Sequence, residues 1–181
     1  PEGAYHAAVE LEADVLLIRN ALLASGNDQI VEAEVAPWLD QIDIFGFHTT
    51  RLDIRQHAGV YREVMDEIWL ATQFLEPNQT LDEPARLKLL TETMAVAPNL
   101  DPVALSQQAS ETLQLFTMLR RQARRFGMAT LGGHVISMTT SASDMLTVQW
   151  LWKWSERVDG GDQRDAELLL PVVPLLETIG D

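Results

Sequence analysis

Two arginines and an aspartate alternate within "FGFHTTRLDIRQHAGVY", Phe45 to Tyr61. Arg51, Asp53 and Arg55 fall on one side of a period of two, and Leu52 and Ile54 fall on the other. This predicts a β-strand over about Phe47 to Arg55. In an antiparallel sheet with one wet face, such charges need no further explanation. In a parallel strand covered on both faces, an unpaired charge is costly, so the three must pair or meet an anionic ligand. The planar fork of arginine suits phosphate and carboxylate groups. Spacing alone leaves both readings open.

Glu177 is the second candidate. It follows "PVVPLL" at the end of a predicted strand, the place where α/β barrels gather their reactive groups. A carboxylate there can ligate Mg²⁺ or Mn²⁺, which favour oxygen donors, or it can be a solvated loop residue. Asp144, in "TTSASD", reads as a helix N-cap. Arg120, Arg121, Arg124 and Arg125 lie in the last turns of a helix and complement its dipole, as a solvated or subunit-contacting end. His6, His48, His57 and His134 have no metal-ligand spacing and read as structural or surface groups. Trp150 and Trp154 can share a helical face, whereas Trp152 must point elsewhere. The sequence has no GxGxxG, HExxH or GxSxG motif and no P-loop.

Mostly helical patterns must position these residues. Leu11, Val15, Ile18 and Leu22 mark one helix, and a second covers Gln29 to Ile44 with Pro37 kinking or restarting it. Val60, Val64 and Ile68 mark a third. Thr80 and Glu83 have capping-box spacing ahead of a fourth. Asp101 and Pro102 open a long helix that Gly127 stops. Gly133 to Met138 reads as a buried strand, "SDMLTVQWLWKWSERV" as a helix, and Val172 to Leu176 as a last strand. Three short strands separated by helices imply a parallel sheet, or part of a barrel.

Composition sets the bounds. A chain of 181 residues, 46% apolar and 22% charged, can fold around a sizeable core. A net charge of −14 speaks against nucleic-acid partners, which need a basic footprint. No apolar run approaches the roughly 18 residues of a membrane span. The absence of cysteine removes disulfides and thiolate chemistry and fits a cytoplasmic protein. The start at Pro1 and the stop just after a strand suggest a single segment, 1–181, of a longer polypeptide.

Three segments taken in order, "FGFHTTRLDIRQHAGVY", "GHVISMTTSASDMLTV" and "PVVPLLETI", resemble the central part of phosphoenolpyruvate carboxylase. The family's corresponding runs are of the type LDIRQ, YVISM followed by SD, and VVPLFETIDDL. The resemblance implies a partial (β/α)₈ barrel, with about three parallel strands among many surrounding helices. It implies the carboxylation of phosphoenolpyruvate by bicarbonate to oxaloacetate and phosphate, with Mg²⁺ or Mn²⁺ as cofactor and a homo-tetrameric parent enzyme. By the same resemblance Arg55 contacts phosphoenolpyruvate, Glu177 ligates the metal, and Asp53 orients or neutralises nearby arginines. Leu176 replaces the usual phenylalanine, Gly180 a common aspartate, and no serine follows "RQ" closely. The family's catalytic-histidine motif, its second metal carboxylate and its glycine-arginine loop do not occur in this sequence, so the segment alone is expected to be inactive. The rival expectation is a non-catalytic helical interaction domain derived from the same family.

Overall fold

Helical runs dominate the computed structural model, which describes residues 4–48, 50–96, 98, 100, 104–158 and 168–177. The chain divides into two units, Pro1–Arg51 and Leu52–Asp181.

The first unit is helical. It comprises α1 (Ala8–Ala24), α2 (Asp28–Ile30), a π-helical turn (Val31–Val35) and α3 (Ala36–Phe45). Val15, Val35 and Ile42 form its small core, with Leu11, Leu22 and Leu39 packed around them. Ile18, expected on the same face, is 47% exposed. Pro37 does not break the run, because it sits in the first turn of α3 directly after the π-turn. A proline ring crowds the carbonyl four residues back, and a widened turn relieves that clash.

The second unit carries the sheet. Its elements are β1 (Leu52–His57), α4 (Ala58–Ala71), α5 (Glu83–Val96), α6 (Gln107–Phe126), β2 (Leu131–Ser137), α7 (Ala142–Val158) and β3 (Val172–Pro174). The strands are parallel in the order β1-β2-β3, as the alternation of strands and helices predicts. This is a helix-rich α/β arrangement.

Several boundaries differ from expectation. β1 starts at Leu52 rather than near Phe47 and continues through His57, so Arg51 lies outside it, in the first unit. Leu52 is 73% exposed, and the pairing of β1 with β2 shifts register between Leu52 and Ile54. The cap of α5 is Asp82, whose carboxylate accepts the Ala85 N–H, and not Thr80. Ser106 caps α6 through the Ala109 N–H. The expected caps Asp101 and Pro102 lie outside the described residues. Gly127 does stop α6, at φ +85°.

Helix α7 packs against α4, α5 and α6 and forms the centre of this unit. Trp150, Trp152 and Trp154 are all buried on it. Burying a side chain of that size stabilises the fold by roughly 2–3 kcal/mol. Each indole N–H has an acceptor: Thr93 Oγ1 for Trp150, the Leu168 carbonyl for Trp152 and the Pro98 carbonyl for Trp154. Thr93 Oγ1 also accepts from Trp69 and donates to the Leu89 carbonyl, so its hydrogen-bonding capacity is filled.

One arginine overturns the reading of a solvated cluster. Arg120 is 1% exposed, its guanidinium lies 3.8 Å from the centre of the Trp152 ring, and it donates to the Trp152 carbonyl at 2.6 Å. Helical phase explains this: Arg120 lies one turn from Phe116 and Ala123, on the buried stripe of α6. Arg121 and Arg125 remain exposed.

Candidate active-site rim

The strand β1 presents Asp53, Arg55 and His57 on one face and Ile54 and Gln56 on the other. Residues paired across parallel strands share a face, so the pairs Ile54–His134 and Gln56–Ile136 define the helix-covered side. His134 and Ile136 are fully buried there. The opposite face carries Arg55, Val135 and Val173 in one row.

On that face Asp53 joins two strands. Its Oδ1 accepts the Gly133 N–H at 3.1 Å, and its Oδ2 lies 3.6 Å from the Arg55 guanidinium. The neighbouring Gly132 is required by closeness: a Cβ there would stand 2.6 Å from the Asp53 carboxylate and 2.8 Å from the Leu52 backbone. The Arg55 side chain is 72% exposed, so the pair is screened by water and adds little stability. The charges on this strand are therefore neither buried nor tightly neutralised.

Glu177 is exposed and lies three residues beyond the end of β3. Parallel direction puts it beyond the same C-terminal edge toward which Arg55 and His57 run. Between them, at the end of β2, Met138 adopts φ +53°, a left-handed conformation uncommon for a side chain of its size. Three contacts hold that turn. Thr139 N–H reaches the Leu175 carbonyl and Thr139 O–H the Ile136 carbonyl, while the Thr140 N–H reaches Asp144.

Asp144 is not the N-cap of α7 but its third residue, in the first helical turn. It accepts the Thr140 and Ser141 N–H groups, and Arg62 of α4 grips both of its oxygens at 2.6 and 2.8 Å. Its side chain is fully buried. Burial pushes its pKa up, but the Arg62 pair and the backbone donors prevail and hold it below the ordinary carboxylate value. Arg62 also donates to Thr140 Oγ1. The pair ties the helix after β1 to the first turn of α7. No local spacing reveals it, since its members stand 82 residues apart.

Of the other histidines, His134 is a core group and His6 is exposed. His134 Nε2 meets the Tyr61 hydroxyl at 2.7 Å, and its ring packs between Tyr61 and Phe116. Its Nδ1 is buried without a partner. That burial lowers its pKa to about 4. His48 lines an open groove of the first unit with Leu11, Trp38 and Phe45, which holds no acidic or basic side chain other than His48.

Among the described residues no group of three or more histidines and carboxylates could hold a metal ion. Glu177 is one possible oxygen donor and not a complete ligand set. Among the described residues no helix is long and apolar enough to cross a membrane.

A family model described as phosphoenolpyruvate carboxylase matches residues 1–181. The chain is 34% identical over 180 residues to the phosphoenolpyruvate carboxylase of Gloeobacter violaceus, covering 98% of this chain and 18% of that protein. It is 36% identical over 182 residues to the enzyme of that name from Prochlorococcus marinus subsp. pastoris, with 98% and 18% covered. The corresponding protein of Aromatoleum aromaticum is 33% identical over 181 residues, with 98% and 19% covered. The chain thus spans less than a fifth of the length of these curated relatives, and its three strands carry the motifs in the expected order. It belongs to the phosphoenolpyruvate carboxylase family.

Proposed function

We propose that this chain forms part of the active-site rim of an enzyme that carboxylates phosphoenolpyruvate with bicarbonate, releasing oxaloacetate and phosphate. In this reading β1, β2 and β3 are neighbouring strands of a (β/α)₈ barrel, Arg55 binds phosphoenolpyruvate, and Glu177 is one ligand of Mg²⁺ or Mn²⁺. The other metal ligands come from outside the described residues, which do not complete a site. By itself the chain is inactive.

The observation that supports this reading is the parallel sheet with an exposed guanidinium on β1 and an exposed carboxylate just past β3. Phosphoryl transfer to bicarbonate and formation of an enolate both concentrate negative charge. A guanidinium whose carboxylate neighbour is engaged elsewhere can stabilise that charge where it develops. Asp53 fits this need, since it is held by the Gly133 amide and keeps Arg55 on its strand face without neutralising it closely.

The test is Arg55→Ala in the whole protein that contains this chain. Loss of a fixed charge stabiliser costs on the order of 10²–10³ in turnover, and phosphoenolpyruvate affinity falls with it. Unchanged kinetics would remove Arg55 from the site.

A further inference from the structure

We propose that His57 is a second substrate-anchoring residue beside Arg55, presenting its Nε2–H to an anionic oxygen of phosphoenolpyruvate. The inference rests on the assignment of Arg55 above.

His57 is the last residue of β1, paired with Ser137 at the last position of β2. It is exposed on the face of Asp53 and Arg55, one pleat nearer the rim than Arg55. Two strand residues advance about 7 Å, so a small anion with two acidic groups can touch both side chains.

The ring is held in a defined state. Gly59 N–H, in the first turn of α4, donates to His57 Nδ1 at 2.9 Å. Only glycine permits this approach, because a Cβ at position 59 would stand 2.9 Å from Nδ1 and 3.1 Å from Cε1. With Nδ1 accepting, the proton of the neutral imidazole resides on Nε2. That nitrogen is on the ring edge away from the helix cap. The cap therefore immobilises a hydrogen-bond donor at the rim before any ligand arrives, which lowers the ordering cost of binding. The N-terminus of α4 adds partial positive charge at the same place.

A purely structural His57 would cap α4 and nothing more. Two substitutions in the whole protein separate the roles. In His57→Asn the side-chain oxygen replaces Nδ1 as the cap, while nothing replaces Nε2. In His57→Gln the amide nitrogen reaches the Nε2 position and the cap is lost.

The expected pattern is crossed. His57→Asn keeps the wild-type melting temperature and raises KM for phosphoenolpyruvate about ten- to a hundredfold, the loss of one hydrogen bond to a charged group. KM for bicarbonate stays put. His57→Gln melts earlier and keeps a KM near wild type. An unmoved phosphoenolpyruvate KM in His57→Asn overturns the inference, as does a KM that follows the melting temperature or a shift confined to bicarbonate. Arg55→Ala, measured in parallel, separates the two levels: if it acts and His57→Asn is silent, only the His57 role fails. If neither moves the KM, the rim reading fails too.

Discussion

Arg55 and Val173 occupy one row of the parallel sheet, joined through Val135. Glu177 lies four residues further along the chain from Val173, past the C-terminal end of β3. A guanidinium and a carboxylate far apart in sequence are thereby delivered to the same edge by strand direction alone.

The carboxylate at that edge gives the first prediction. Losing an outer-shell partner of a metal ligand costs about 10–100-fold in affinity, and losing a ligand should cost at least as much. Glu177→Gln in the whole protein is therefore expected to raise the Mg²⁺ concentration for half-maximal activity by that order. A metal titration of activity checks it, and an unaltered Mg²⁺ dependence would refute the role.

The Arg62–Asp144 pair gives the second. Arg62→Ala leaves a buried carboxylate without its cationic partner, a change expected to destabilise the fold by roughly 3–5 kcal/mol. Arg62→Lys should recover part of this, since one ammonium cannot grip both oxygens. Urea unfolding of the three proteins measures the series; equal midpoints would show that the pair is not a structural tie.

Thr93 tests the core. Thr93→Val keeps the shape but strands the indole N–H groups of Trp69 and Trp150, each at about 1–3 kcal/mol. Thr93→Ser, which retains the hydroxyl, should be much milder. Thermal melting distinguishes them, and a stable valine variant would mean that the indoles find other acceptors.

Acid should weaken the fold through His134. Its folded pKa of about 4 lies below the ordinary 6.5, so the unfolded chain takes up the proton first. Stability is full above about pH 6.5 and declines toward pH 4, by about 3 kcal/mol in total. Asp144, held below the usual carboxylate range, adds a further loss as pH falls below that range. His134→Gln removes the histidine's titration and leaves Tyr61 a partner, so its stability profile should be flatter between pH 6.5 and 4. An identical slope would show that His134 does not carry the effect.

Much of this was legible before any coordinates. The helical periods around Val64 and Ile68, the stop at Gly127 and the three short strands reflect local rules of spacing and backbone conformation, and the parallel pairing follows from helices between the strands. The strand with Asp53 and Arg55 was readable for the same reason, although its start was not. A slip of register beside Leu52 has no signature in the alternation of side chains. Burial of Arg120 was hidden because a charge count ignores helical phase, and Phe116, Arg120 and Ala123 share one stripe. The Arg62–Asp144 pair was invisible because tertiary packing alone brings α4 to the first turn of α7. His57 looked ordinary in sequence, since its capping bond depends on the path from strand into helix.

The most direct measurement is a crystal structure of the whole protein with Mg²⁺ and an unreactive phosphoenolpyruvate analogue. The account predicts a Glu177 carboxylate oxygen about 2.0–2.1 Å from the metal. It also predicts Arg55 guanidinium nitrogens about 2.7–2.9 Å from the analogue's phosphate. A metal and analogue bound away from this rim, with neither side chain in contact, would contradict it.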